Sequence, residues 1–514
     1  MKQRHSTSSF VWILAILAVS AVVLWPLAIR GFFVSDDGEW MIIRLSAFYQ
    51  SLAEGQFPVR YLGRLNHSYG YPVANFLYPG FLYIGAVLYR IGFSFVDSVK
   101  LILGGSVVGA ALFLYWGLRR RFQPISSFTA TLGFLFMPYL LFDLYKRGSV
   151  GEILALFAAV LAWFSIEKRK AWIFPWAVAL LLISHNSLAL LFIVILVAYL
   201  LAEKTFYYWK PLILGTGMAA FFWYPAVFER RYVLFDTVRI ADSARYFVGA
   251  NMLYLLNAVP IVAAIILLTG KKRAFSRPLR FFLGVFIGGT LLATPLMGIL
   301  WKQTILARLF QFPYRFLSIG AIAGPWLIAA VMERTRSPAR TRLCLLFIAT
   351  WLIPWWITMR SVDPIVREEG YYTTNEATTT VADEYMPRWV QAPPQNRTEK
   401  RVEFVLGSGT IDMVKFSTQK IDAAIEAQGK SIIQINAVYY PGWGAQVDGL
   451  PAKIDYQNTV GVMKIDIPPG RHHVTAEFRE TVPRFVADIV SLAAAVCAII
   501  FSYWEFARTR REKT

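Results

Sequence analysis

Apolar residues fall along this chain in runs long enough to cross a bilayer, which takes about 20 of them in a helix. The first such run, VWILAILAVSAVVLWPLAIRGFF, follows Phe10, and others recur as far as Trp504. Lys2 and Arg4 precede the first run, as they would in a signal peptide. A short apolar region ending in a small-residue cleavage site is missing, so the pattern predicts a retained helix. The runs and the basic clusters between them predict helices over 10–30, 97–118, 125–142, 149–166, 171–184, 186–203, 210–228, 252–270, 279–299, 314–332, 342–358 and 484–505. One more apolar stretch, 73–93, carries Pro79, Gly80, Gly85, Arg90 and three tyrosines. Counting it as a span would invert every later basic loop, so it is expected to lie in the outer interface. The count is then about twelve transmembrane helices.

Residues 31–96 form one long outer loop in this reading. Within it, Met41, Leu45, Phe48 and Leu52 share one face of a helix over 40–54, with Arg44, Gln50 and Glu54 off that face. The middle of the predicted bilayer holds almost no polar residues. Lys100, Asp143, Glu152, His185, Asn186 and Glu229 all crowd the outer helix ends, which places a working site there.

Residues 359–483 break the pattern. The stretch 359–400 has little periodicity and reads as an extended arm. From Arg401 the runs VEFVLGSG, SIIQINAVYYPGW, AQVDGLPAKI, VGVMKIDIPPG and HHVTAEF are strand-like and bounded by turn residues. The predicted fold is a polytopic α-helical membrane protein with a small extracytoplasmic β-sandwich domain before its last helix. Its parts are a transmembrane module (1–358), the arm (359–400), the sandwich (401–483), and a last helix with a basic tail (484–514).

Composition and charge refine this picture. Apolar residues are 56% of the chain and charged ones only 16%, against about 25% charged in ordinary soluble domains. The net charge of +20 is localised. Segments 1–9, 119–124, 166–171, 203–210, 271–280, 333–342 and 505–514 hold 23 of the 52 basic residues and 5 of the 32 acidic ones. That excess is a positive-inside signal, which places both termini in the cytoplasm of a bacterial inner membrane and argues against a nucleic-acid partner. Cys344 and Cys497 sit inside apolar runs, so no disulfide framework or thiolate metal site is implied.

Two polar constellations carry candidate chemistry. Ser35-Asp36-Asp37-Gly38-Glu39-Trp40 places three carboxylates ahead of an amphipathic helix, where they could activate a hydroxyl or hold a cation. The plainer alternative is that Asp36 caps the helix with Glu39 as its box partner. The second is Asp143-Leu-Tyr145-Lys146-Arg147-Gly-Ser-Val-Gly-Glu152. There Lys146 and Arg147 either snorkel to the interface or clamp a phosphate. Arg308, Gln311 and Arg315 offer a weaker second clamp. His185-Asn186 is either a packed polar pair or a substrate contact, and Tyr69, Tyr71 and Tyr78 could stack on sugar rings.

The order of parts resembles the GT-C superfamily of polyprenyl-phosphate-sugar-dependent membrane glycosyltransferases. SDDGEWMIIRLSAFYQSLAEGQFPVR is similar to the acidic pair, aromatic and Gly-Pro pattern of that superfamily's first outer loop. LYKRGSVGEILAL resembles the stretch opening its fourth helix. More narrowly, YGYPVANFLYP, DLYKRGSVGE, the TTT-x5-EYMPRWV arm and VYYPGWGAQVDG resemble a bacterial multipass family labelled as related to 6-pyruvoyl-tetrahydropterin synthase. The sequence shows no soluble pterin-enzyme core that would justify taking that label literally. The usual Asp-Glu pair reads Asp36-Asp37 here, with Glu39 extra, so the choice of base stays open among the three.

The resemblance implies sugar transfer from a polyprenyl-phosphate donor to an extracytoplasmic glycan, lipid or protein. Asp36 is then the base, and Asp37 its partner or, with Asp36, a ligand for Mg²⁺ or Mn²⁺. Lys146 and Arg147 take the phosphate. Glu39, Arg44, Tyr71, Glu152, His185, Arg308 and Arg315 are the further candidate substrate contacts. The alternatives are a lipid or polysaccharide transporter or flippase, and a non-catalytic assembly protein for envelope polysaccharide. Neither inverted repeats nor mid-membrane ionisable groups support the transporter.

Overall fold

The computed structural model describes residues 4–236, 243–270, 275–302 and 305–511. Part of the basic 271–280 segment therefore lies outside the described residues, as do the first three and last three residues. Each of the twelve expected helical segments falls on a helix or a bent pair of helices. Six are long and apolar enough to cross a membrane: Phe10–Ala28, Phe95–Leu118, Val150–Glu167, Pro313–Arg334, Ser337–Arg360 and Val482–Arg511. Counting each bent pair as one span raises the number to nine. Phe174–Ser184, Asn186–Ala202 and Ala258–Thr269 are apolar but short.

Three segments expected as single helices are broken. Pro124–Leu135 and Pro138–Arg147 meet at 40°, Phe206–Met218 and Ala220–Tyr232 at 64°, and Arg277–Leu292 and Pro295–Trp301 at 82°. Pro138 and Pro295 lack the N–H a continuous helix needs, and their rings crowd the preceding turn. At the second break the last helix compensates: Ser491 accepts the Phe221 N–H at 2.7 Å.

Burial separates inner helices from outer ones. Val150–Glu167 and Pro313–Arg334 are enclosed over 89% and 94% of their apolar windows, against 17% for Val482–Arg511 and 22% for Ser337–Arg360. Water would not tolerate apolar faces of that extent, whereas lipid does. The chain reads as a multi-pass membrane protein. Close approach within the bundle uses glycine: a Cβ on Gly109 or Gly117 of Phe95–Leu118 would collide with Phe157 or Trp163 of Val150–Glu167. Small residues play this part wherever apolar helices pack without a hydrophobic drive between them.

The helix expected over 40–54 spans Gly38–Ala53. The 73–93 stretch forms a short turn and then the 11-residue helix Gly80–Arg90, too short to cross a bilayer.

Eight strands follow residue 400. β3 (Val402–Leu406), β6 (Ser431–Val438) and β9 (Val462–Ile467) form one antiparallel sheet in the order β3-β6-β9. β4 (Gly409–Phe416), β5 (Lys420–Ala427), β7 (Trp443–Val447), β8 (Leu450–Ala452) and β10 (Gly470–Phe478) form another, in the order β4-β5-β10-β7-β8. β4 and β5 were not among the expected runs. β4 is an edge strand with its side chains outward, and the small alanines of β5 mask its alternation of buried and open positions. Ile425, Ile433, Ile465 and Val474 from the two sheets share one apolar cluster with Tyr61, Phe76 and Val233 of the helical part.

The arm is mostly irregular but firmly seated. β1 (Phe32–Phe33) pairs with β2 (Pro364–Ile365), Ser46 donates to the Tyr372 carbonyl at 2.6 Å, and Tyr372 and Met386 are buried in the main core. A second tie is a closed ion pair: Arg484 of the last helix donates to both carboxylate oxygens of Glu229, at 2.7 and 2.8 Å. Tyr440 and Asn75 each add a 2.8 Å hydrogen bond to the same carboxylate.

Candidate functional site

Two glycines bring the acidic and basic constellations together. The Asp36 N–H donates to the Lys146 carbonyl at 2.9 Å, and the Asp37 N–H to the Arg147 carbonyl at 2.8 Å. This register needs the Ser35–Gly38 turn to lie against Gly148. Gly148 sits at φ +64°, where a side chain is strained, and its Cβ would stand 3.0 Å from the Gly38 backbone. A Cβ on Gly38 would strike Phe32 and Ser35. At Gly148 the backbone passes the Gly38 backbone, and at Gly38 the Phe32 ring and the Ser35 hydroxyl leave no room for a side chain.

The side chains repeat the register. Lys146 Nζ lies 3.2 Å from Asp36, both largely exposed at 65% and 50%. Arg147 Nη2 lies 3.2 Å from Asp37, with the arginine buried and Asp37 29% exposed. The same Arg147 reaches Asp143 at 2.9 Å and pairs with Glu152. Glu152 is wholly enclosed, and also accepts from Arg315 Nε at 2.9 Å and Tyr139 at 2.8 Å, with His185 Nε2 at 3.5 Å. Two buried carboxylates thus meet two buried arginines, and the chain of contacts ends in solvent at Asp37.

Several expectations change here. Asp36 is not the helix cap: Asp37 occupies that position without capping, and Ser35 Oγ accepts the Gly38 N–H at 3.2 Å. Arg147, expected at a phosphate, is buried and already pairs with three carboxylates, Asp37, Asp143 and Glu152. A phosphate would first have to displace Asp37. Glu152, Arg315 and His185 are enclosed, so in this structure they support Arg147 and contact nothing outside. His185 also caps the helix Asn186–Ala202 through its Nδ1. Arg315 further donates to the Phe310 carbonyl and to Gln311.

The arm claims three more of the expected contacts. Glu39 pairs with Arg367 at 3.3 Å. Arg44 donates to Thr379 Oγ1 at 2.8 Å and to the Thr379 carbonyl. Tyr71, fully enclosed, bonds Thr380 at 3.1 Å and accepts the Tyr385 N–H at 3.0 Å. Neither Tyr71 nor Tyr78 has a free face for a sugar. Arg308 is exposed.

No family profile matches the chain, and no curated protein matches it either. Among solved structures it is similar to the arabinofuranosyltransferase AftD from Mycobacteria, with TM-score 0.46 and 15% identity, over 68% of this chain and 26% of that one. It is also similar to the apo oligosaccharyltransferase of Archaeoglobus fulgidus, with TM-score 0.40 and 13% identity, over 73% of this chain and 61% of that one. A third likeness is to AglB of the same organism in complex with an inhibitory peptide and a dolichol-phosphate, with TM-score 0.36 and 14% identity, over 71% and 56%. The chain thus spans about a quarter of AftD. At these scores the likenesses decide nothing about the site, and the narrower pterin-related label finds no support.

Sequence reasoning passed over Asp143 as a site residue, although its i, i+4 spacing to Arg147 was a visible pairing signal. Tyr139, Thr379 and Thr380 carried no such signal. Among the described residues no group of three His, Cys, Asp or Glu side chains converges on a metal position. Asp36 and Asp37 each already face a cationic side chain. A Mg²⁺ or Mn²⁺ ion held by Asp36 and Asp37 would take the place of Lys146 and Arg147 at those carboxylates.

Proposed function

We propose that the chain is an integral-membrane glycosyltransferase, spanning the bacterial inner membrane twelve times with both termini inside. The acidic pair then lies at the outer face. One observation carries the reading: an exposed acidic pair is held in one-to-one backbone and side-chain register with a basic pair. One member of each pair is anchored in a buried network and the other is left in solvent.

The chemistry follows from that asymmetry. A hydroxyl of the acceptor must lose its proton as its oxygen attacks the anomeric carbon of a polyprenyl-phosphate sugar. The anomeric carbon–oxygen bond breaks, and the phosphate leaves with the electron pair. No protein acid is needed, since phosphate departs as an anion. Asp36 takes the proton, and exposed Lys146 is the cation free to meet the phosphate. As Lys146 moves from Asp36 to the donor, Asp36 gains a free lone pair for the acceptor O–H. Asp37, fixed through Arg147 to Glu152, holds the turn that carries Asp36. Arg147 is therefore a positioning residue and not a phosphate ligand.

The test is transfer by purified protein with a polyprenyl-phosphate sugar. Asp36→Asn keeps the size of the side chain and the Ser35 cap, so the fold should persist while turnover falls by about 10²–10⁴, the usual loss for a general base. Retention of transfer by both Asp36→Asn and Asp37→Asn would sink the site as drawn and favour a non-catalytic envelope-assembly role.

A further inference from the structure

The end of the bundle away from the acidic pair carries a second charged cluster. The helix Val150–Glu167 begins two residues after Gly148 and runs for 18 residues, so its far end stands about 27 Å from that glycine. There the turn after it, Lys168-Arg169-Lys170, meets the turn after Phe95–Leu118, Arg119-Arg120-Arg121. Arg120 donates to the Glu167 carbonyl, and Arg121 pairs with the Glu167 carboxylate at 2.8 Å.

The carboxylates at this end are engaged elsewhere. Glu167 is buried, holds Arg121 and accepts from the Tyr199 hydroxyl. Glu203 takes the same Arg121 at 3.4 Å. Glu505 pairs with Arg508 at 3.6 Å, and Glu333 accepts the Gln123 N–H at 3.0 Å. Among the described residues, Arg119, Arg120, Lys168, Arg169 and Lys170 have no carboxylate at ion-pair distance. Arg119 and Arg120 donate to backbone carbonyls instead, and Lys170 lies over the Phe164 ring at 6.0 Å. Burial first, and then Arg119, Arg120 and Lys170, push the Lys168 ammonium below its ordinary range, and Glu167 offsets only part of this. Two helix C-termini account for one or two such cations. A topogenic excess accounts for cations on this side, but not for a half-buried lysine crowded by three others. An anion among them relieves that repulsion.

The cluster borders lipid. In the turn that follows Lys170, the Trp172 carbonyl accepts from Ser502 at 2.9 Å. Ser502 belongs to Val482–Arg511, the helix least enclosed by protein. Tyr208 donates to the Ser165 carbonyl at 2.8 Å. Its neighbours Phe206 and Tyr207 are exposed, as is Trp504 on the last helix. Aromatic side chains in such positions sit at the level of lipid headgroups.

We infer that the two basic turns hold the phosphate of an anionic phospholipid, with its acyl chains on the side of the last helix. Basic pockets between transmembrane helices recognise anionic headgroups in this way. A zwitterionic lipid would bring its own ammonium among five cations, so the site selects against it. The inference needs only the membrane-spanning architecture and is independent of glycosyl transfer.

The test is native mass spectrometry of the full chain in detergent, titrated with phosphatidylglycerol, phosphatidylcholine or inorganic phosphate. Phosphatidylglycerol should form a saturable one-to-one adduct at concentrations where the other two form none. Lys168→Gln should weaken that adduct about fivefold, and Arg120→Gln combined with Lys168→Gln about 25-fold, the usual effect of removing one and two cations near an anionic headgroup. Arg510→Gln, which removes an exposed cation from the end of the last helix, should leave the adduct unchanged. Both glutamine variants keep the Arg121–Glu167 pair, and Lys168→Gln alone decides the matter if Arg120 proves necessary for folding. Equal binding of phosphatidylcholine, or an equal loss in Arg510→Gln, reduces the cluster to diffuse membrane charge and overturns the inference. An adduct unchanged in Lys168→Gln overturns it as well. Inorganic phosphate binding as tightly as phosphatidylglycerol overturns the lipid and leaves a soluble anion as the ligand.

Discussion

Two buried glutamates organise the end of the bundle that carries Asp36, and they are built differently. Glu229 meets one arginine, Arg484, in a two-pronged pair, with Tyr440 and Asn75 both donating to its Oε2. Everything in that group is enclosed, and nothing in it leads outward. Glu152 meets two arginines, a tyrosine and a histidine. One of those arginines passes the contact on to Asp143 and then to half-open Asp37. The first arrangement is a rivet between the last helix, the sheets and the helix Ala220–Glu229. The second is a network with one end in solvent, and a buried network is worth its desolvation mainly when it fixes something at its open end. The contrast separates a closed cluster from one with an open end without reference to any relative.

The largest effect should come from the rivet. Arg484→Met leaves Glu229 buried without a counter-charge, and breaking such a pair costs about 3–5 kcal/mol. The expected outcome is a large drop in thermal midpoint of the detergent-solubilised protein, with the surviving folded fraction keeping its turnover per molecule. Adding Glu229→Met should restore much of the loss, since a buried pair replaced by apolar groups is often near neutral. If the double variant stays as unstable as the single one, packing around Arg484 matters more than charge.

A smaller and different effect is expected at the network. Arg147→Lys keeps the charge but cannot fork among Asp37, Asp143 and Glu152. Asp37 then loses its fixed position, and a displacement near 1 Å at a reacting group costs about 10²-fold. The loss should appear in kcat more than in KM. Should kcat hold while stability falls, the Glu152 cluster is only a second rivet, and the comparison collapses.

The sequence made parts of this contrast legible and hid others. The twelve apolar segments, the helix after Asp37 and both polar constellations could be read from spacing and residue type. The register joining Asp36–Asp37 to Lys146–Arg147 could not, because it depends on Gly38 and Gly148, far apart in the chain, each packed where a Cβ has no room. Burial was also hidden: Arg147 and Lys146 are neighbours in sequence, yet one is enclosed and the other is in water, because Arg147 turns inward toward Asp143 and Glu152. The arm read as extended, so its contacts with Arg44, Tyr71 and Glu39 were invisible. In the sheets, an outward-facing edge strand and an alanine-rich neighbour lacked the apolar alternation that marks strands.

The smallest effect on stability, and the sharpest on the reading, belongs to Lys146. Its pair with Asp36 is exposed on both sides, and such pairs contribute about 0–1 kcal/mol and weaken further with salt. Lys146→Met should therefore leave the thermal midpoint nearly unchanged, in contrast to Arg484→Met. If Lys146 were only a surface partner of Asp36, turnover would also be unchanged. As the cation that meets the donor phosphate, it instead predicts a higher KM for the polyprenyl-phosphate sugar and no comparable change for the acceptor. The wild-type KM for donor should rise with ionic strength, because an exposed lysine acts as a screened point charge. The variant's donor KM should respond less to salt. A donor KM with the same salt slope in both proteins would remove Lys146 from the phosphate and leave the open end of the network without its cation.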